Sequence, residues 1–415
     1  MDKFIIEGQR FLSGEVTVSG AKNAVLPIMA ASLLWPGRYI LHNTPDLRDT
    51  RTMARLLEMV GASVTLGDSR MEIDTSNCNN PEAPYELVKT MRASFYVLGP
   101  LLARFGRCRV SLPGGCNWGP RPVDLHIQAM KKLGATIALE GGYLNAEGKL
   151  KGAHIHFDVS SVGATGNALM AAVLAEGETI LTNAAQEPEI TALATFLHNM
   201  GAHIEGIGTT TLQISGQKDL KATEATIIPD RIEAGTFLIA GAMMGDEVTV
   251  KGAHVEHLAP VMEKLQSAGV ELTVNGDTVQ VSRPSTIKPA DVVTAPYPGY
   301  PTDLQAQWIA FMTQAEGTCV VKDDIYHDRF AHVPELSRFG ARIRLDENIA
   351  TVKGPSTLIG APVMSTDIRA SASLVLAALA AKGTSEISRV YHLDRGYESM
   401  EKKFAQLGAD IQRVK

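Results

Sequence analysis

Apolar and polar positions along this chain form a pattern that returns six times. Each time an amphipathic stretch ends in an apolar residue, followed by Gly-Ala or Gly-Val and a short apolar strand, as in LLEMVGASV and FAQLGADI. Successive copies of this glycine are separated by 73, 67, 68, 71 and 68 residues, and they are Gly61, Gly134, Gly201, Gly269, Gly340 and Gly408. A spacing this regular predicts a repeated structural module.

A second glycine recurs within the same module. An Ala-rich apolar helix ends at this glycine and continues into a β-prone strand, as in MAAVLAEGETILTN. The six copies are Gly37, Gly106, Gly177, Gly245, Gly317 and Gly383. A glycine that ends a helix in the left-handed conformation explains why the residue type recurs. Each module is therefore predicted to run strand, helix, strand, helix, strand.

The first helix of each module is nearly free of charge after its opening turn, as in TGNALMAAVLA. A helix that is apolar all round is a buried one, whereas the second helix carries charges on one face. This pattern predicts an α/β (α+β) fold with helices buried against sheets. Three modules plus three give two domains, residues 20–228 and residues 229–415. Residues 1–19 have no module of their own, and we expect their strand to complete the last module.

Composition narrows the class of protein. The 415 residues exceed one ordinary core, and contents of 45% hydrophobic and 20% charged residues are typical of soluble globular proteins. No apolar run reaches the ~18 residues of a membrane span, and the first residues lack a signal peptide, so we expect a cytoplasmic protein without membrane insertion. The net charge of −6 gives no reason to expect nucleic acid as a partner. The four cysteines have no metal-ligand spacing, so we expect no metal.

Polar residues collect where the apolar helices begin, in SGAKNA, KTMRAS, SSVGATGN, PDRIEAGT, YPTDLQAQ and STDIRASAS. Helix N-termini favour anions. Helix capping explains Ser161, Thr165, Asp230 and Asp367 at least as well as a functional role does. Capping does not explain Lys22, Arg92 and Arg369, because a cation at a helix N-terminus is unfavourable unless an anion compensates it. We therefore predict that these three residues bind an anionic ligand.

One loop, SLPGGCNWGPRPVDLH at residues 111–126, carries Cys116 among glycines and prolines. Loops often carry chemistry, but cysteine is also one of the most commonly buried residue types, so from the residues alone both interpretations stand. Two further basic clusters, YHDRFAHVPEL with Arg329 and YHLDRGYESM with Arg395, precede second helices. Surface salt bridges are the default interpretation of both clusters.

Taken together, these motifs resemble the signatures of the enolpyruvyl transferases. The matching segments, which also include EPEI and HVPELSRFGA, extend from residue 19 to residue 398. The resemblance implies two inverse α/β barrel domains, each of three βαβαββ repeats, with the N-terminal segment returning to the C-terminal domain and the active site in the interdomain cleft. It implies transfer of the enolpyruvyl group of phosphoenolpyruvate to the 3′-hydroxyl of UDP-N-acetylglucosamine with release of phosphate. This addition–elimination is the first committed step of peptidoglycan synthesis, and it requires no redox cofactor and no metal.

The resemblance also assigns roles to residues. It implies Cys116 as proton donor and Asp303 as base, acting with Lys22 and Arg395. Phosphoenolpyruvate would be held by Lys22, Asn23, Arg121, Arg329, Arg369 and Arg395. UDP-N-acetylglucosamine would be held by Asn23, Arg92, Arg121, Pro122, Val123, Asp124, Leu125, Ser161, Val162, Gly163, Asp303 and Ile325. Cations fit a substrate with a carboxylate and a phosphate, because Arg can bind either group through two hydrogen bonds.

Cys116 has a further implied property. A thiol near several cations has a lowered pKa, which fits the family's covalent phosphoenolpyruvate adduct and its alkylation by fosfomycin. Two departures from the family pattern are Asn117-Trp118 after the cysteine and Gln186 before EPEI, where Arg is usual. The alternatives are 5-enolpyruvylshikimate 3-phosphate synthase, which would lack the PGGC loop, and a catalytically silent regulatory paralogue that binds UDP-sugars. We expect a monomer or a weak homo-oligomer.

Overall fold

A computed structural model of the chain describes residues 2–113 and 123–415. Within these ranges the chain divides into two compact units. The N-terminal unit is Gly20–Ile228, and the C-terminal unit combines Met1–Ser19 with Pro229–Lys415. Three residues with predicted roles, Cys116, Arg121 and Pro122, lie outside the described residues, as do both halves of Asn117-Trp118.

The strands of the described chain are numbered here in chain order. The C-terminal unit begins with β1 (Lys3–Glu7) and β2 (Leu12–Thr17). The N-terminal unit contains β3 (Arg38–His42), β4 (Ser63–Gly67), β5 (Arg70–Asp74), β6 (Glu82–Ala83), β7 (Arg107–Ser111), β8 (Thr136–Glu140), β9 (Tyr143–Glu147), β10 (His154–His156), β11 (Glu178–Thr182), β12 (His203–Glu205), β13 (Thr211–Ser215) and β14 (Glu224–Thr226). The C-terminal unit continues with β15 (Gly245–Lys251), β16 (Leu272–Asn275), β17 (Thr278–Val281), β18 (Val292–Thr294), β19 (Thr318–Asp323), β20 (Ile343–Asp346), β21 (Ile349–Lys353), β22 (Pro362–Met364), β23 (Thr384–Ser388) and β24 (Asp410–Val414).

The α-helices follow the same order. Those of the N-terminal unit are α1 (Lys22–Ala31), α2 (Arg48–Val60), α3 (Tyr85–Val88), α4 (Leu98–Phe105), α5 (Asp124–Lys132), α6 (Val162–Ala172) and α7 (Pro188–Asn199). Those of the C-terminal unit are α8 (Arg231–Met244), α9 (Val255–Ser267), α10 (Gln305–Met312), α11 (His332–Arg338), α12 (Ile368–Ala380) and α13 (Met400–Gln406). Short 3-10 helices span Ser32–Leu34, Arg92–Val97, Thr302–Leu304 and Val390–Arg395.

Within residues 2–113 and 123–415, each unit builds three four-stranded sheets with one shared topology. The N-terminal unit has the orders β14-β3-β5-β4, β6-β7-β9-β8 and β10-β11-β13-β12, and the C-terminal unit has β16-β17-β15-β2, β18-β19-β21-β20 and β22-β23-β1-β24. Every sheet has one parallel pair at one edge, while its other neighbours are antiparallel, as in β10 with β11 and β11 with β13. A parallel pair requires a crossover, and a buried helix such as α6 supplies it. The five-element module predicted from the pattern was therefore one strand short, whereas the βαβαββ repeat implied by the resemblance has the right number of strands.

The N-terminal segment belongs to the C-terminal unit through two strands. Strand β1 lies between β23 and β24 and is antiparallel to both, with Ile6 opposite Ile411. Strand β2 pairs in parallel with β15 at the edge of another sheet. The expected pairing of the first strand with the last is confirmed, because β1 forms backbone hydrogen bonds with both β23 and β24 of the final module.

The uncharged helices are the buried ones, as the pattern predicts. In α8 every residue from Ile232 to Met244 is buried, whereas α2 keeps an exposed face. Each unit has its own hydrophobic core, formed where the buried helices pack against the inner faces of the sheets. No helix within the described residues is both long and apolar enough to cross a membrane.

The two glycine series differ in their conformation. All six glycines of the first series have positive φ, from +88° to +110°, which side chains disfavour. In the second series Gly245 is an exception, with φ of −78° in extended backbone. A Cβ atom at Gly245 would lie 2.5 Å from the carbonyl oxygen of Gly241. The left-handed explanation is therefore wrong at this position, where close backbone packing at the end of α8 is what requires glycine.

Candidate active site

Asp303 lies between two guanidinium groups in the C-terminal unit. The 3-10 helix Thr302–Leu304 presents its carboxylate just before α10. Its Oδ1 atom is 2.7 Å from Nη1 of Arg329, and its Oδ2 atom is 2.9 Å from Nη2 of Arg369. Burial by itself would raise the pKa of Asp303, but the charges and hydrogen bonds of the two arginines outweigh it and hold the pKa well below its usual range. Asp303 is therefore an anion held by two cations.

Arg369 reaches this cluster from the first turn of α12. Asp367 caps that helix, since its Oδ1 atom accepts hydrogen bonds from the backbone N–H groups of Arg369 and Ala370 at 2.8 and 3.0 Å. The Arg369 side chain is only 4% exposed, and its Nη1 atom is buried without a hydrogen bond to any residue of the described chain. A buried donor without an acceptor is costly. This nitrogen is therefore suited to bind an anionic ligand.

Arg329 departs from the default interpretation of its motif. Its side chain is 8% exposed and contacts Asp303, so the expectation of a surface salt bridge is wrong for this residue. In the second basic cluster Asp394 pairs with Arg413 at 2.6 Å, and both side chains are only 26% exposed, so this pair is half-buried where a surface salt bridge was expected. Arg395, at the end of its 3-10 helix, is half-buried.

Lys22 occupies the first position of α1 in the N-terminal unit and is buried. Its Nζ atom lies 2.6 Å from Oδ2 of Asp49, a buried residue in the first turn of α2. The carboxylate of Asp49 thus compensates the positive charge of Lys22 at the helix N-terminus. From the sequence we had expected this compensation to come from a bound ligand alone. That reasoning missed Asp49, because nothing in the local sequence of α2 indicates that its first turn faces α1. Asn23, the next residue of α1, is half-buried.

The starts of α5 and α6 meet in the N-terminal unit. Ser161 caps α6 by accepting a hydrogen bond from the Ala164 N–H group at 3.3 Å. A Cβ atom on Gly163, in the first turn of α6, would lie 3.0 Å from the imidazole of His126 in α5. The predicted segments 123–125 and 161–163 therefore belong to two helix starts that touch through His126 and Gly163. The N-cap role of Ser161 is confirmed, as are those of Asp230 and Asp367.

Thr165 is not a cap. It lies within α6, where its Oγ1 atom accepts a hydrogen bond from the backbone N–H of Ala185 at 3.0 Å. The hydroxyl therefore ties the buried helix to the segment that follows β11.

Sequence reasoning also missed His126, although it ends the GPRPVDLH motif. Asn167 fixes its protonation state. The Oδ1 atom of Asn167 accepts from the Gly99 N–H group at 2.8 Å, and its Nδ2 atom donates to the Phe95 carbonyl at 3.0 Å. The remaining Nδ2 hydrogen therefore points to His126 Nδ1 at 2.8 Å, which must accept it. Burial, together with the charge of Arg92, lowers the pKa of His126 to about 4, so the ring is neutral at physiological pH.

Ile325 follows strand β19 in the C-terminal unit, and its backbone N–H donates a hydrogen bond to Asp323. Asp303, Arg329 and Arg369 form one cluster in this unit, and Lys22 and the starts of α5 and α6 belong to the other unit. Within residues 2–113 and 123–415 no group of three or more His, Cys, Asp or Glu side chains is arranged to hold a metal ion.

The chain is similar over nearly its whole length to proteins of one family. The family described as EPSP synthase (3-phosphoshikimate 1-carboxyvinyltransferase) matches residues 6–404. A protein of Chlorobaculum parvum named UDP-N-acetylglucosamine 1-carboxyvinyltransferase is 57% identical over 417 residues, covering 100% of this chain and 98% of that protein. A protein of the same name from Chlorobium chlorochromatii is 56% identical, covering 100% of this chain and 99% of its own length.

Solved structures show the same fold. The enolpyruvyl transferase NikO from Streptomyces tendae superimposes with a TM-score of 0.90 at 28% identity, covering 100% of this chain and 99% of NikO. EPSP synthase from Acinetobacter baumannii superimposes with a TM-score of 0.78 at 19% identity and full coverage of both chains, which supports the fold alone. The expected two-domain fold is confirmed. From its sequence, its repeated sheets and these full-length relatives, the chain belongs to the EPSP synthase family, the enolpyruvyl transferases.

Proposed function

We propose that this protein transfers the enolpyruvyl group of phosphoenolpyruvate to the 3′-hydroxyl of UDP-N-acetylglucosamine, the first committed step of peptidoglycan synthesis. The support from relatives is their name, shared by proteins 54–57% identical over the full chain. The structural observation that carries the proposal is the cluster of two buried arginines, Arg329 and Arg369, around the half-buried Asp303, which has an excess positive charge and a buried donor without an acceptor.

The carboxylate of phosphoenolpyruvate fits this cluster. Arginine binds carboxylates through paired N–H groups, and the buried Nη1 atom of Arg369 is a donor of this kind. A bound carboxylate would offset the positive charge that now holds the pKa of Asp303 low. The pKa of Asp303 would then rise towards a range in which it accepts a proton efficiently. Binding of the donor substrate would thus prepare Asp303 to act as a base on the sugar hydroxyl.

The chemistry follows in two balanced steps. In the addition, the 3′-oxygen forms a bond to C2 of phosphoenolpyruvate while Asp303 takes the hydroxyl proton and the Cys116 thiol gives a proton to C3. In the elimination, the Cys116 thiolate takes a proton from C3, the bond from C2 to the phosphate oxygen breaks, and Asp303 gives its proton to the leaving phosphate, so that the double bond returns and both side chains regain their starting states. Neither step changes an oxidation state, so the reaction needs no redox cofactor.

The remaining residues complete the proposal. Lys22, Arg121 and Arg395 would bind the phosphate of phosphoenolpyruvate, and Asn23 would contact both substrates. The nucleotide sugar would be bound by Arg92, by the residues around the starts of α5 and α6, and by the backbone at Ile325. We further propose that the enzyme works in the cytoplasm as a monomer or a weak homo-oligomer.

Phosphate release tests the proposal directly. The purified protein is expected to release phosphate from phosphoenolpyruvate when UDP-N-acetylglucosamine is present, and to show no release with shikimate 3-phosphate as acceptor. The reverse preference would assign the chain to the other branch of its family. Binding of UDP-N-acetylglucosamine without any phosphate release would support a silent sugar-nucleotide-binding protein instead.

A variant connects the assay to the cluster. Arg369→Lys keeps the charge but loses the planar pair of donors, so we expect KM for phosphoenolpyruvate to rise at least about tenfold. Arg338→Lys is the matched control, because Arg338 is exposed on α11. An Arg369→Lys variant with an unchanged KM for phosphoenolpyruvate would contradict this role of the cluster.

A further inference from the structure

A buried carboxylate beside the candidate active site has no part in the proposed chemistry. Asp323, at the end of β19, is fully buried. Its Oδ1 atom accepts hydrogen bonds from the Thr294 hydroxyl at 2.8 Å and from the backbone N–H groups of Ile325 and Tyr326 at 3.0 and 2.8 Å. Its Oδ2 atom accepts from the Thr302 hydroxyl at 2.7 Å. One carboxylate therefore ties together the end of β18, the segment that contains Ile325 and the 3-10 helix that contains Asp303.

The hydrogen bonds along this path have a fixed direction. The Asp323 carboxylate only accepts, so the hydroxyl hydrogen of Thr302 points towards it. The lone pairs of Thr302 Oγ1 are then free to accept from Nη1 of Arg329, which lies 3.1 Å away. The same Nη1 atom is 2.7 Å from Asp303. Since a guanidinium group only donates, the Thr302 hydroxyl cannot be reversed without losing one of its two partners.

We propose that Asp323 and Thr302 are positioning residues for the enolpyruvyl transfer. Asp323 orients the Thr302 hydroxyl, and this hydroxyl holds the Arg329 guanidinium at Asp303, where Arg329 binds substrate carboxylate and adjusts the basicity of Asp303. The same carboxylate holds the backbone at Ile325, so one buried group sets the position of both substrate-contacting segments. The inference rests on the proposed function for the roles of Asp303 and Arg329. It adds Asp323 and Thr302 to the functional residues. Thr302 acts only through its contact with Arg329, and Asp323 acts only through its contacts with Thr302 and with the backbone at Ile325.

Two substitutions at Thr302 test this path. Thr302→Val keeps the shape of the side chain and removes the hydroxyl, whereas Thr302→Ser keeps the hydroxyl. Hydrogen bonds to charged groups are strong enough that we expect kcat/KM for phosphoenolpyruvate to fall about 10- to 100-fold in Thr302→Val. In Thr302→Ser we expect a fall of at most about threefold. KM for UDP-N-acetylglucosamine should change less than KM for phosphoenolpyruvate in both variants.

Asp323→Asn tests the direction of the hydrogen bonds. Its amide nitrogen would donate to Thr302 Oγ1 and compete with Arg329 for the same lone pairs. We expect a loss similar to that of Thr302→Val, and no further loss when the two substitutions are combined, because both interrupt one path. Thr294→Val is the matched control for stability. It removes a different hydroxyl from the same carboxylate, so it should lower the melting temperature while leaving kcat/KM for phosphoenolpyruvate within about threefold of wild type.

The outcomes separate this inference from the proposed function. Absence of phosphate release by the wild-type protein would overturn the proposed function. In that case calorimetric binding of phosphoenolpyruvate still tests the path, since Thr302→Val should weaken binding and Thr302→Ser should not. If Thr302→Val matches Thr302→Ser in turnover and in binding, or if Thr294→Val loses as much kcat/KM as Thr302→Val, the positioning role is refuted.

Discussion

Replacing the charge of Asp303 should affect both stability and catalysis by amounts that follow from its surroundings. Asp303→Asn preserves the size of the side chain and removes one negative charge from between two buried arginines. In the effective dielectric of a protein, opposite charges about 4 Å apart attract by about 4 kcal/mol, and Asp303 has two such partners. The cost of burying Asp303 offsets part of this attraction. Because both cations lose the carboxylate that they share, we expect a net loss of about 3–5 kcal/mol in unfolding free energy.

An exposed ion pair provides the control. Asp46 and Arg51 make two hydrogen bonds of 2.7 and 2.6 Å, similar in length to those of Asp303, but their side chains are 46% and 63% exposed. Solvent-exposed pairs contribute about 1 kcal/mol or less, so Asp46→Asn should have a small effect. The carboxylate-to-amide change is the same in both variants, so the difference between them reports the burial of the arginines and the second arginine partner of Asp303.

Amide hydrogen exchange in increasing urea measures the two units separately. Exchange in α10 and α12 reports the unit that contains Asp303, and exchange in α2 reports the other unit. In parallel, the loss of the base should lower kcat by about 10²- to 10⁴-fold. If Asp303→Asn destabilises α10 and α12 no more than Asp46→Asn destabilises α2, the two guanidinium groups do not depend on this charge and our electrostatic account of the cluster is wrong.

Three further predictions concern other features. The pKa of His126 in the folded protein, about 4, lies below its usual value near 6.5, so the imidazole of the unfolded chain is protonated first as pH falls. The unfolding free energy of the N-terminal unit should therefore decrease by up to about 3 kcal/mol between pH 6.5 and pH 4, and should not change above pH 6.5 through this group. His126→Asn should flatten this pH dependence, as measured by urea titrations at several pH values. Burial raises the pKa of the Cys78 thiol, and it raises the pKa of the Cys108 and Cys319 thiols to about 12. Because the thiolate is the reactive form, fosfomycin should modify the native protein only at Cys116, and mass spectrometry that finds the modification on another cysteine would contradict this. Gly201→Ala should lower the unfolding free energy by about 1 kcal/mol through backbone strain alone, since φ is +103° and a Cβ atom meets no other atom within 4 Å. Gly67 is equally open but has no positive φ, so Gly67→Ala should lower the unfolding free energy less, as measured by thermal unfolding.

The repeated architecture was predictable because it depends on local properties. Apolar periodicity marks buried helices, and a glycine with positive φ marks the end of the second helix in all six modules. Gly245 shows the limit of this reasoning. Its sequence context resembles that of the other glycines of its series, but its requirement for glycine comes from the carbonyl of Gly241, which only the folded backbone brings near. The missing strand of each module has the same origin, because a strand as short as β6 (Glu82–Ala83) is identified by its pairing with β7.

The residues of the candidate site illustrate the same division. The positions of Asp303, Arg329 and Arg369 in their motifs marked them as candidates, and the resemblance assigned their chemistry. Their mutual contacts were not predictable, because Arg369 is 66 residues from Asp303 along the chain and meets it only through the packing of α10 against α12. The pairing of Lys22 with Asp49 and the path from Asp323 through Thr302 likewise join different elements.

The sequence by itself determined the six modules, the identity of the buried helices and the family, since each of these depends on residue types at fixed spacing along the chain. The tertiary structure alone decided which charges compensate one another, because electrostatic energy depends on distance and burial. It made Arg329 a buried partner of Asp303, with no surface role, and it revealed Asp323 as the group that orients Thr302. A carboxylate with a low pKa, held by two arginines that can bind a second anion, exists only once the helices that carry them have packed.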